Sequence, residues 1–426
     1  MKLQRSVTKI IALFLMALIV SGCGGAEGRK AKYLERGKAY LEQENYDKAK
    51  VEFKNVLQID PKHAEAYYLL GLTAEARQNW QQAFGSYSKA VELNPDYVDA
   101  HAKLGLFFLM GGNLDKATEV ADMILAKQPS HPFGRTLRAA ITGRKGDVKG
   151  AIREAGEVFA QDPTQTGAVD VMAALYLKEG ETGKAIEVLA KGVAANPKNI
   201  PLRLQLAKIY MGKKDIGKVE QILQESIAVE PQKTQHRAML ASFYIQTDQV
   251  DKAEKTLRES IQAGPEDVDR YLTLVEFLVS RKTPAQAETE LLAAIKAKPK
   301  AHKLRFGLAK LYEQTNAGDK AAQVYRDVID VDGTELDGLA ARNRLASLLI
   351  RQGRRDDAVK LVEEVLKENP RDNEALFTKG KLALLKGDAQ TAVASARDVL
   401  KDQPNSVEVL SLLADAHMMN KEPELA

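Results

Sequence analysis

Six histidines, one cysteine and one glycine-lysine turn are the residues of this 426-residue chain whose types invite a chemical reading. His63, His101, His131, His236, His302 and His417 are scattered along the chain, with no pair at ligand spacing on one helix face. Their spacing therefore indicates no metal site. The run Gly212-Lys213-Lys214-Asp215-Ile216-Gly217-Lys218-Val219 approaches a phosphate-binding loop, but Val219 stands where Ser or Thr must hold magnesium, and no strand precedes it. It reads as a solvated turn. No serine or cysteine nucleophile pattern is present either, so the expectation is a non-enzyme with no cofactor. The single thiol, Cys23, follows an apolar run and the small pair Ser21-Gly22. It excludes an intramolecular disulfide and leaves one nucleophilic sulfur at what reads as a processing point.

Lys2, Arg5 and Lys9 precede the unbroken apolar segment from Ile10 to Val20. Such a segment falls short of the roughly 20 residues that span a bilayer as a helix, and the expectation over residues 1–22 is a signal peptide. Val20-Ser21-Gly22-Cys23 resembles the lipobox of bacterial lipoproteins, with valine in place of the more usual leucine. That resemblance implies lipid attachment at Cys23, a lipidated tether over residues 23–29 and, with Gly24 following the cysteine, an outer-membrane lipoprotein facing the periplasm. Acyl chains contribute about 0.8 kcal/mol per buried methylene, so several would anchor the protein without a spanning helix. Removing the three leader cations brings the formal charge from +4 to +1. With both signs interspersed, nothing favours nucleic acid.

The elements behind these residues announce themselves through proline. Pro61, Pro95, Pro129, Pro163, Pro197, Pro231, Pro265 and Pro299 recur every 34 residues, and Pro370 and Pro404 resume the step after one slip. A constant period of this length marks a repeat architecture whose units bury apolar faces only against their neighbours. With proline at position 32, the first unit runs from Lys30 to His63. Position 20 is then alanine at Ala49, Ala83, Ala117, Ala151, Ala185, Ala253, Ala287, Ala321, Ala358, Ala392 and Ala426, with Val219 departing. Position 8 is Gly or Ala everywhere but Val275. Two columns that refuse bulk mark the closest helix approaches. Positions 4, 7, 8 and 11 share one face of a first helix, and 20, 24 and 27 one face of a second.

In repeat 2 the columns read Tyr67, Leu70, Gly71, Ala83, Tyr87, Ala90 and Pro95, which resembles the tetratricopeptide repeat. The resemblance implies an all-α, right-handed superhelical solenoid of about eleven and a half helix-turn-helix repeats. Repeats 1–9 occupy residues 30–335, a register insertion 336–338, and repeats 10–12 residues 339–426. Repeat 4 fits worst, with Arg135 and Arg138 at large-residue positions, and the insertion after Gly333 reads as a hinge. Ala426 at position 20 of repeat 12 reads as part of a longer array or a truncated product. Trp80 reads as packing at a turn.

Positions 5, 9 and 12 lie off the packing face, and the resemblance implies that they line a concave surface receiving peptides. Tyr68, Phe306 and Phe377 at position 5, with Leu109, Leu177, Met211, Ile245, Val279, Ile350 and Leu384 at position 12, are the candidate binding stripe. Glu75, Gly143 and Glu313 interrupt it. Its two readings are an exposed protein interface and an extension of the core. Position-9 lysines Lys38, Lys208, Lys310 and Lys381 could meet carboxylates of a peptide or an acidic polysaccharide, but read first as solvated heads over apolar stems. Tyr33-Leu34-Glu35-Arg36-Gly37-Lys38-Ala39-Tyr40-Leu41, followed by Asn45-Tyr46-Asp47-Lys48-Ala49, is similar to the opening of tetratricopeptide lipoproteins of exosortase (PEP-CTERM) systems. That likeness implies a protein-interaction scaffold in exopolysaccharide export or protein sorting. The alternatives are an assembly factor for outer-membrane proteins or pili and a regulator of a cell-wall enzyme.

Overall fold

The structure is a computed structural model that describes residues 25–426; Cys23 and the leader lie outside the described residues. The described residues are helical and contain no strand. Each 34-residue unit folds as a helix A and a helix B, as in repeat 2 with A at Ala64–Ala76 and B at Trp80–Leu93. Neighbouring helices pack in sequence order, and several successive A helices also touch, as in repeats 3, 4 and 5. The chain divides into two compact units, one ending at Ile222 and the other running from Leu223 to Ala426.

Three local devices repeat in register. Helix B ends two residues before each proline column, and the intervening Asp60, Asn94, Gln128 and Asp162 take φ between −133° and −142°, the extended geometry that a following proline ring enforces. Asn45, Asn79, Asn113, Asp147 and Asp388 cap helix B, each side-chain oxygen accepting from the backbone N–H three residues on. Between A and B, position 15 adopts left-handed backbone, at Gly112, Gly146 and Gly180 but also at Glu44, Gln78, Lys214, Asp248, Asn316 and Lys421. Lys214 sits in the glycine-lysine run, which is therefore one more turn of this series.

The small columns are the tightest part of the core. Every position-20 alanine from Ala49 to Ala392 is fully buried. A Cβ on Gly37 would stand 2.4 Å from the Phe53 ring, and one on Gly71 2.4 Å from the Tyr87 ring. Position 8 of helix A thus faces position 24 of helix B, and in repeats 1 and 2 glycine makes room for the ring, whereas repeat 9 holds Ala309 opposite Tyr325, both buried. In the first unit, repeats 4 to 6 share a continuous cluster from Ala139 through Leu189 to Ile222. Repeat 4 replaces apolar contact with charge: Arg138 Nε donates to Glu154 at 3.0 Å and Arg135 Nη2 to Glu157 at 2.6 Å, joining helix A to helix B.

Two segments differ from their sequence reading. Residues 25–29, expected to be a tether, are helical and continue into the first A helix. Lys30 pairs with Glu27 within that helix at 2.9 Å and ties it to Asp60 at 3.0 Å. The inserted residues 336–338, read as a hinge, form the start of the 16-residue helix Leu336–Arg351. A left-handed Gly333 with φ 53° turns the chain into it, and Arg342 donates to the Gly333 and Gly338 carbonyls. The extra residues are thus taken up by lengthening one helix.

Candidate functional site

A groove in the second unit is lined mainly by A helices, with Tyr325 of the intervening B helix Gly318–Asp332 behind them. Leu272, Val275 and Val279 come from helix Val268–Arg281, Phe306 and Lys310 from helix His302–Gln314, and Arg344 from helix Leu336–Arg351. Together they border a groove of about 470 Å³. Helix periodicity explains the convergence, since positions 5, 9 and 12 form one stripe and adjacent repeats bring three stripes side by side. Phe306 is its floor, only 9% exposed, with the Arg344 guanidinium carbon 4.1 Å from its ring centroid. That distance is a cation–π contact. Lys303 at the rim is paired with Asp269, whereas Lys310 is exposed and has no ion pair among the described residues.

Glu313 lies in the same groove and is not a break in the stripe. Tyr325, buried in helix B, passes between the helices and donates its hydroxyl to Glu313 at 2.6 Å, while Arg351 pairs with the same carboxylate. Burial first, and the hydrogen bond to Glu313 second, push the Tyr325 hydroxyl well above the usual phenol range. It remains a donor at any physiological pH.

The first unit repeats this constellation. Tyr87 donates to Glu75 at 2.5 Å, Lys103 of the following A helix pairs with Glu75 at 2.9 Å, and Tyr68 lies with its ring centroid 5.8 Å from that of Tyr87. Leu34, Leu41, Tyr68, Glu75 and Tyr87 occupy the repeat positions that Leu272, Val279, Phe306, Glu313 and Tyr325 occupy seven repeats later. Lys103 and Arg344 share position 6. Sequence reading took Glu75 and Glu313 as interruptions and missed their partners. The signal was available: tyrosine occurs at position 24 only in the two repeats with glutamate at position 12.

The remaining candidates form a half-buried seam. Leu109, Met211, Ile245, Val279, Ile350, Phe377 and Leu384 are partly covered, and only Leu177, at 43%, is widely exposed. Leu109 leans on the cluster around Ile124 and Leu137, while Phe377 and Leu384 lean on that around Leu376 and Val399. Neither reading of the stripe holds in full: one edge of each side chain belongs to the core and the other to solvent. Phe377 carries the Lys381 ammonium 4.2 Å from its ring centroid, so this lysine caps an aromatic face. Asp170, at position 5 of repeat 5, accepts from Gln205 Nε2 at 2.8 Å. Burial raises its carboxyl above the usual range despite that bond.

Among the histidines, His63 and His131 cap A helices through Nδ1, and His101 contacts the Pro95 carbonyl at 2.9 Å. His236, His302 and His417 are buried and pair with Glu230, Asp332 and Glu422. Trp80, read as packing, is 52% exposed and meets Phe107 edge-on with centroids 6.4 Å apart. No described helix is long and apolar enough to cross a membrane.

Two family models, both described as tetratricopeptide repeat, match the chain. One covers residues 34–98, 276–334, 343–406 and 377–426, the other 74–141, 176–241 and 214–276. The stretches between matches, 142–175 and 335–342, include much of the arginine-bearing repeat 4 and the inserted residues. No curated protein matches the sequence. Solved structures that align with the chain include Naa15/Naa10 bound to HypK-THB (18% identity, 93% of this chain and 67% of that one, TM-score 0.43). Yeast Tom70 aligns at 15% identity over 93% of this chain and 97% of its own, TM-score 0.41. The P58(IPK) TPR domain aligns at 16% identity over 93% and 99%, TM-score 0.27.

Proposed function

The chain belongs to the tetratricopeptide-repeat family, and from that premise we propose that it is a non-catalytic scaffold that holds an extended protein segment against its A helices. The observation that carries this reading is the groove of Leu272, Val279, Phe306, Lys310 and Arg344. Apolar walls accept a side chain, and the unpaired Lys310 beside Arg344 favours a neighbouring carboxylate on the occupant. Selecting from a displayed peptide library tests it. Enriched peptides should carry an apolar residue near an acidic one and lose binding to Lys310→Glu, whereas enrichment indifferent to that change contradicts the groove.

The scaffold is proposed to work at the outer membrane, moored by acyl chains on Cys23, in exopolysaccharide export or PEP-CTERM protein sorting. The lipobox resemblance and the opening-repeat resemblance support this setting. Fractionating cells that carry wild type or Cys23→Ser is the direct check. Wild type should sediment with outer membranes and the serine variant should be released as soluble protein. Equal distribution of the two would refute the anchor.

A further inference from the structure

We infer that His302, Asp332 and Asp337 form a binding site for one divalent transition-metal ion of the zinc class. The three residues come from three helix ends: His302 opens helix His302–Gln314, Asp332 closes helix Gly318–Asp332, and Asp337 lies in the first turn of helix Leu336–Arg351. One donor atom from each lies within 4.8 Å of the others, the one triad of that kind among the described residues. His302 Nε2 is 3.0 Å from the Asp332 carboxylate. Zinc holds nitrogen and carboxylate oxygen at about 2.0–2.2 Å, so ligation requires the donors to close by roughly an ångström or less each. Asp337 is exposed and free to rotate inward.

The surroundings of the triad favour a cation. The His302 ring is 93% buried, since its side chain is 7% exposed, and Nε2 is the nitrogen turned to Asp332, while Nδ1, on the other edge of the ring, has no hydrogen-bond partner among the described residues. Carboxylates also gather here: Asp330 and Asp332 at the C-terminus of helix Gly318–Asp332, whose carbonyls add negative potential, and Glu335 and Asp337 at the start of the next helix, while Arg342 is already taken by Glu364 at 2.8 Å. His236 supplies an internal comparison. It too is buried, pairs with Glu230 at 2.6 Å and has an unpartnered Nδ1, but no second carboxylate completes a triad.

The third ligand exists because of the register insertion, since Asp337 is one of the three added residues. Imidazole with two carboxylates suits zinc, cobalt or nickel, and three protein ligands leave positions for water or a partner's donor. A bound ion would clip both ends of repeat 9 to the start of repeat 10, one helical turn from Phe306 on the groove floor. The site thus becomes a metal-dependent brace for one wall of the groove.

The test uses the full chain, without an affinity tag, titrated with cobalt(II) by absorption and with zinc in competition. One ion per chain is expected; Asp337→Asn should weaken uptake at least about tenfold while leaving the melting temperature in chelator unchanged, and His236→Gln should bind as wild type. Absence of saturable uptake, or uptake that Asp337→Asn does not alter, overturns the site.

Discussion

Gly71→Val is expected to lower stability by about 3 kcal/mol, the upper part of the range for overpacking a closed core. Helix preference alone would predict the opposite sign, because glycine in a helix interior costs about 0.5–1 kcal/mol relative to alanine. Packing decides the outcome. A Cβ at this position would lie 2.4 Å from a Tyr87 ring that is itself fully buried and held by Glu75. Repeat 8 shows how the same bulk is admitted, with Val275 at position 8 opposite Leu291 at position 24, both buried. Adding Tyr87→Leu to Gly71→Val recreates that pair, so the double variant should be more stable than the two single losses predict, by at least about 1 kcal/mol. Chemical denaturation of the four proteins reads the coupling. Strictly additive losses would mean that the two columns do not face each other.

Lys310→Glu is expected to weaken capture of the partner segment at least about tenfold, equivalent to roughly 1.4 kcal/mol. Lys310 is exposed and has no ion pair among the described residues, so its reversal leaves the fold intact and places a like charge against the occupant's carboxylate. Val279→Glu should act through the other half of recognition by placing a charge on the apolar wall. Its stability cost should be larger because Val279 is half-buried. The useful comparison is Val51→Glu on a B helix, an exposed apolar position far in sequence from the groove, which should leave capture unchanged. Equal losses in all three would point to general destabilisation.

Much of this architecture was legible before any coordinates. The proline, alanine and glycine columns located the A and B helices because each answers a single local constraint: a missing amide donor, or two helix axes too close for a side chain. Other parts were not legible, for reasons that lie in particular residues. The left-handed turns at Glu44 and Lys214 carry no glycine, and there Asn45 and Asp215 at the next position cap the following helix; at Asp248 the next residue, Gln249, makes no side-chain cap, and the backbone is left-handed all the same. The insertion looked like a hinge because register was lost; Gly333 and Arg342 instead rebuild the junction as a longer helix. The position-12 stripe placed its side chains on the A helices but did not give their burial. That depends on how near the next A helix comes, which no single-helix periodicity encodes. Glu75 and Glu313 were misread because their tyrosine partners arrive from the opposite helix of the repeat.

The account stands or falls on occupancy of the groove in cells. A photoreactive amino acid placed at Val279 tests this most directly, with Val51 as the comparison position. The prediction is a discrete covalent adduct to another protein from position 279, diminished by Lys310→Glu, and none from position 51. Illumination that yields no adduct at 279, or the same adducts at both positions, would contradict it.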